Sequence, residues 1–207
     1  LKGTLEIYGG NVGKNTCSKF GQNVYVSLGG KLSVYGGTIG STDTSGSEIV
    51  IEGNSLEDLS GKMELAGGGD IYDAVRLKGG AKINVKSDIT SSKVISVAIE
   101  NYPMGTDEVV IATFDDNLDS DATKFEVESS QKNNYRTRTS GQDVVITRAM
   151  FSLIIDPDGG VLSSDIAGIR QYGTRYVTDV MFGTNLSSLL ANTKAAKDRR
   201  EFAYWGV

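Results

Sequence analysis

GTLEIYGGNVG (residues 3–13) and GKLSVYGGTIG (residues 30–40) match position by position, 27 residues apart. A third copy, GKMELAGG (61–68), begins 31 residues after the second. A second pair interleaves with them: NVYVSLGGKLSV (23–34) resembles DAVRLKGGAKINV (73–85). Short strands repeating every twenty to thirty residues with glycine at the corners are the pattern of a solenoid. Within each copy the apolar residues alternate: Leu5 and Ile7, Leu32 and Val34, Met63 and Leu65, Ile83 and Val85. Period two places them on one face of a strand. Glu6, Ser33, Glu64 and Asn84 then face outward. One such strand cannot bury its apolar face alone, whereas equivalent strands stacked coil upon coil form a continuous core. Gly-Gly corners permit the positive φ angles of sharp turns. STDTSGS (41–47) and GKNTCSKFGQN (13–23) read as loops at the corners. The expected fold is therefore mainly all-β, a right-handed parallel β-helix over residues 1–148. An antiparallel sandwich, which also has short strands at regular spacing, is the alternative.

Composition agrees. Of 26 glycines in 207 residues, 18 fall in the first 80 positions. Glycine then thins out, and SKVISVAIEN (92–101), DEVVIATFD (107–115), TKFEVESS (123–130), YRTRTS (135–140) and QDVVITRA (142–149) read as strands rich in Val and Ile. A stack of coils has an open edge that needs covering, so 92–148 is read as the last coils plus a cap.

Several function classes lose ground on composition. The chain has no histidine, which removes His-dependent triads, dyads and most catalytic zinc sites. Cys17 is the single cysteine, so no intrachain disulfide forms. Net charge is −5 with scattered basic residues, which argues against nucleic acid. No run of 18 apolar residues is present, so no helical membrane span is expected. The absence of an initiator Met and of a signal peptide suggests a fragment of a longer, multidomain chain, monomeric in itself.

Candidate chemistry is sparse. In DDNLDSDATKFE (115–126), Asp115, Asn117, Asp119 and Glu126 occupy positions 1, 3, 5 and 12 of a calcium loop. Ser120 stands where glycine is required and the flanks read as strands, so an acidic turn is the preferred reading. DPDGG (156–160) lacks a ligand at position 12, Ala167, and reads as a hairpin turn. Glu52, Glu64, Asp70 and Asp73 are carboxylates that a β-helix enzyme could bring together across coils. Tyr8, Tyr25, Tyr35 and Tyr72 recur near the corners, either as an aromatic ladder for sugars or as stacks that stabilise coils. No residue is assigned a catalytic, cofactor or metal role.

The glycine-corner repeat, with IATFDDNLDSDATKFEVES (111–129) and the closing DVVI (143–146), resembles β-helical regions of large surface proteins from Gram-positive and gut bacteria. Residues 149–207 resemble the Listeria–Bacteroides repeat, or internalin B-repeat. Ile155 to Gly160 match its first motif; Val180, Phe182, Gly183 and Leu186 its second; Phe202 and Trp205 its third. Tyr204, Arg199 and Arg200 depart from it, and ANTKAAKD (191–198) replaces its usual prolines with a helix-favouring stretch. The resemblance implies a small β-grasp-like module and a secreted or cell-wall location. Asn185 is positioned to cap a short helix bearing Leu186, Leu189 and Leu190, with Lys194 and Lys197 near its end. Trp205 is read as a core plug against Phe151, Ile155, Phe182 and Leu189, with an exposed ligand platform as the alternative. The function expected is non-catalytic: a stalk, spacer or adhesive segment whose partners are glycans or surface proteins. A carbohydrate-active β-helix enzyme and a carbohydrate-binding module are the rivals.

Overall fold

The computed structural model describes residues 3–13, 15, 23–40, 48–54 and 60–197. The chain divides into two compact units, residues 1–147 and 148–207.

The first unit is a parallel β-solenoid of about four turns. Its first coil comprises β1 (Thr4–Ile7), β2 (Asn11–Val12) and β3 (Val24–Val26). The second has β4 (Lys31–Val34), β5 (Thr38–Ile39) and β6 (Glu48–Glu52), and the third β7 (Lys62–Leu65), β8 (Asp70–Ile71) and β9 (Ala74–Lys78). Then follow β10 (Ile83–Val85), β11 (Ile95–Ile99), β12 (Val109–Phe114) and β13 (Phe125–Val127). Equivalent strands pair in parallel, giving three sheets: β1-β4-β7-β10-β12, β3-β6-β9-β11-β13 and the short β2-β5-β8.

Register follows the sequence repeat. Leu5, Leu32, Met63, Ile83 and Ala112 form one inward ladder, and Ile7, Val34, Leu65, Val85 and Phe114 another. Val24, Ile49, Val75, Val97 and Val127 do the same on the second long sheet. These ladders meet in a single core. Leu5, on the outermost coil, remains 45% exposed while the side chains stacked beneath it are buried. The apolar area removed from water therefore comes from neighbouring coils, at roughly 25 cal/mol per Å².

The expected change of character after residue 92 has a clear form. Coils continue through β13, and then β14 (Tyr135–Ser140) and β15 (Asp143–Arg148) make a hairpin about Gly141. β15 joins the first sheet antiparallel to β12, with a register shift between Val110 and Ala112. The outermost strand is β14, whose sequence YRTRTS leaves Arg136 and Arg138 exposed. A charged edge strand discourages further pairing. At the cap, Tyr102 stacks near Tyr135 at 4.7 Å and donates to Glu128 Oε1 at 3.0 Å.

In the second unit, β16 (Met150–Ile155), β19 (Arg175–Met181) and β18 (Arg170–Tyr172) form an antiparallel sheet, and β17 (Val161–Ser163) pairs with β20 (Lys194–Ala196). Two expectations change here. Asp158 and Gly159 both adopt positive φ, 51° and 75°, and Gly160 N–H donates to Pro157 O at 2.9 Å. The turn forms, but the strands flanking it join different sheets, so it is not a hairpin. The stretch ANTKAAKD supplies β20 instead of a helix, because the backbone of β17 requires a partner and helix propensity is weak beside tertiary pairing. Helix α1 (Leu186–Leu189) is one turn, capped as expected by Asn185, whose side chain accepts from Ser188 N–H at 3.1 Å. Phe151 and Phe182 lie 6.2 Å apart. Cys17, Phe202 and Trp205, and with them the third motif and the proposed core plug, lie outside the described residues.

Met63 is fully buried in the central coil, between Leu32 and Ile83. Met63→Ala is expected to lower stability by about 2–5 kcal/mol, whereas Thr4→Ala, on the exposed first coil, stays within about 0.5 kcal/mol. Urea unfolding of both variants checks the contrast.

Candidate functional site

Parallel register arranges outward side chains as strictly as inward ones. Each position becomes a column along the solenoid, one residue per coil, spaced by the ~4.8 Å separation of adjacent strands. On the first sheet the column Thr4–Lys31–Lys62 is continued by Lys82, which directly precedes Ile83, the partner of Met63. Beside it run Glu6, Ser33, Glu64, Asn84 and Thr113, of which Ser33 is fully buried and does not face water. Next comes the column of Tyr8, Tyr35, Ala66, Lys86 and Asp115, each following the last paired residue of its strand.

Stacked like residues need relief. Lys31 Nζ pairs with Glu64 Oε2 at 2.7 Å, and this contact holds the lysine above its ordinary pKa. Ser33 Oγ reaches the same carboxylate at 3.4 Å. Lys86 Nζ pairs with Asp115 Oδ1 at 2.8 Å. The Tyr8 and Tyr35 rings stack at 4.5 Å, 3° from parallel. Tyr8, 68% exposed, donates to Glu6 at 3.2 Å, and that bond raises its pKa. Lower on this face lies an open groove of about 590 Å³, lined by Asn54, Lys62, Glu64, Lys82, Asn84 and Lys86 among others.

The four recurring tyrosines do not form one row. Tyr25 projects from the second long sheet toward Glu52, which raises its pKa by hydrogen bonding. Tyr72 follows β8, with Lys93 Nζ 4.9 Å from its ring centre. Only Tyr8 and Tyr35, among these four, stack together.

The four carboxylates stand at different points of the coils. Glu52 ends β6 and Glu64 lies on the outer face of the first sheet. Asp70 begins β8 and accepts from Ser91 Oγ at 2.5 Å. Asp73 sits at a corner and is only 2% exposed. Its Oδ2 accepts from Asn23 Nδ2, while Asn23 Oδ1 accepts from the Asn15 amide at 3.1 Å. The network links the first coil to the third. Gly40 of the second coil makes room for it: φ is 89°, and a Cβ there would stand 2.1 Å from Asp73 Oδ1. Burial pushes the Asp73 pKa up more than the Asn23 bond lowers it.

Of the calcium-spaced residues Asp115, Asn117, Asp119 and Glu126, the first and last are engaged by different lysines. Asp115 is held by Lys86, and Glu126, on β13, by Lys132 at 3.2 Å. Asp121 caps a 3-10 turn at Ala122–Lys124, where the Thr123 hydroxyl and then its N–H hold the carboxyl below its usual range. Among the described residues no group of three or more acidic or thiol side chains is placed to hold a metal ion. In DPDGG, Asp156 accepts from Asp158 N–H and Arg175, each at 3.0 Å, and is held low by them. Sequence reasoning passed over the lysine column, although the Gly-Lys pairs at 30–31 and 61–62 carried it.

No known protein family, curated protein or solved structure matches this chain. No helix among the described residues is long and apolar enough to cross a membrane.

Two outcomes follow from these geometries. Because the folded-state pKa of Asp73 is raised, its ionisation opposes folding: the penalty is absent below about pH 4 and grows as pH rises through the folded value. Asp73→Asn keeps an acceptor for Asn23 and is expected to raise the neutral-pH melting temperature relative to wild type, with the gap closing toward pH 3. Melting curves across pH read it directly. Millimolar calcium is expected to leave the melting temperature of the wild-type chain unchanged; a rise of several degrees by calorimetry would mean that residues 115–126 rearrange into a site.

Proposed function

We propose that this chain is a non-catalytic segment of a bacterial cell-surface protein, a solenoid that spaces and displays binding surfaces. The observation that carries the reading is the unbroken inward ladder through the coils. A stack whose every coil completes its neighbour's core is a rigid extension. Paired catalysis by carboxylates needs two of them on one reacting bond, within about 5–10 Å; Glu52, Glu64, Asp70 and Asp73 stand on different parts of the coils, and Asp70 and Asp73 are engaged by Ser91 and Asn23 respectively.

The motif order in residues 149–207 supports a B-repeat-like second module with a β-grasp arrangement. Surface location rests on that resemblance and on the glycine-corner repeat. A glycan-binding role is the second reading, favoured by the exposed Tyr8–Tyr35 stack, whose flat apolar face suits a sugar ring.

The decisive experiment incubates the purified chain with a panel of polysaccharides and host glycans and scores retention and chain cleavage together. No polymer is expected to be cut. Cleavage of any of them sinks the proposal, and retention that is lost in Tyr8→Ala moves the role from spacing to adhesion.

A further inference from the structure

We propose that the first coil is a docking edge: an extended strand of a partner polypeptide adds to β1 in parallel register and turns across Gly9. This goes beyond the spacing role, since it assigns a partner surface and the chemistry that the surface accepts. The first coil lies at the end of all three sheets, with β1, β2 and β3 each paired on one side. An unpaired edge does not by itself say what covers it. Here the glycines do. In the second and third coils a corner glycine admits a carbonyl of the coil before it. A Cβ at Gly36 would stand 2.8 Å from Tyr8 O, and one at Gly67 closer still to Tyr35 O. Gly9 is their counterpart in the repeat. Its φ is not positive, and a Cβ there would meet nothing within 4 Å among the described residues. Neither conformation nor contact within the described chain asks for glycine at position 9, whereas a carbonyl laid over that corner would.

The main chain points the same way. Tyr35 N–H donates to Ile7 O at 2.8 Å and Ala66 N–H to Val34 O at 2.9 Å. Thr38 N–H donates to Gly10 O at 2.8 Å and Asp70 N–H to Gly37 O at 2.9 Å. The corresponding donors of the first coil, Tyr8 N–H and Asn11 N–H, have no acceptor among the described residues. Donors of this kind are what an added strand satisfies. Leu5 and Tyr8, both exposed, supply the side-chain contacts: Leu5 tops an inward ladder and Tyr8 the stacked rings. The occupant so defined is a strand with apolar residues at alternate positions, ending on a carbonyl above Gly9. A second copy of this chain does not meet that description. Its β4 and β7 are paired on both sides, and two β1 edges related by a twofold axis run antiparallel.

The probe is a labelled peptide of residues 3–13, GTLEIYGGNVG, the strand and corner that the second coil accepts in this manner. By fluorescence anisotropy it is expected to bind the wild-type chain at least about tenfold more tightly than a scrambled peptide does. Gly9→Ala is expected to weaken binding about tenfold and to leave the melting temperature unchanged. Gly36→Ala, which meets the same clash inside the stack, is expected to lower the melting temperature. Amide hydrogen exchange at Tyr8 and Asn11 is expected to slow about tenfold when the peptide binds. Failure of the peptide to bind, equal affinity in Gly9→Ala, or protection confined to β14 or β18 overturns the inference. So does a fall in melting temperature in Gly9→Ala equal to that in Gly36→Ala, which would place the need for glycine inside the chain. A wild-type dimer in sedimentation that the peptide cannot bind would give the edge to a second copy and overturn the inference as well.

Discussion

Everything in the solenoid depends on parallel register. Each coil is too thin to bury its own apolar residues, so its stability is held jointly with the coils above and below. That works only if the inward positions coincide, as they do from Leu32 through Met63 to Ile83. A shift of one residue would turn every inward side chain outward. The same constraint dictates the exterior. Whatever stands at an outward position is placed over its counterpart, Tyr8 on Tyr35 and Lys31 on Lys62. Stacking rings gain from this; stacked ammonium groups do not, and Glu64 and Asp115 are placed where they offset the repulsion.

Corners and ends answer to the same requirement. Coils can stay in register only if the chain turns within a fixed space. The Asn15–Asn23–Asp73 network passes from the first coil to the third through space that a side chain at position 40 would fill. A buried carboxylate held by the Asn23 amide is a costly way to staple coils, and its raised pKa records that cost. At the far end, register has to be stopped. Reversal of direction in β15, the shift opposite Val110, and a polar edge at β14 end the stack where a further parallel coil could otherwise add.

The parts of this architecture that were legible beforehand are those written in periodicity. Offsets between repeats located the coils, alternation located the inward faces, and the loss of glycine after residue 80 located the change toward the cap. What was not legible depends on contacts remote in sequence. Lys194–Ala196 looks helical until the unpaired backbone of Val161–Ser163 is known. Asp158-Gly159 has the right chemistry for a tight turn, yet the partners of its flanking strands are chosen elsewhere. The contacts of residues 115–126 are likewise remote in sequence. Lys86, one coil away, and Lys132, beyond the loop, each engage one of the acids. The lysine column is not legible from the apolar residues by which the repeats align, because Lys82 follows Ala81 and not the Gly-Lys pair of the earlier coils.

That last point separates fold from function in a solenoid. Inward columns are constrained by packing and tolerate only apolar side chains of suitable volume. Outward columns carry no such demand, so their composition is free to follow a ligand. A column of lysines that costs something in isolation is therefore more informative than any buried ladder. Periodicity of the core fixes the interval between outward groups, and chemistry of the outward residue selects what can lie upon them. A polymer is the natural counterpart of such a surface, because it too presents one group at one interval. Each added coil extends the contact without altering the core, and affinity can grow with length while the fold stays the same.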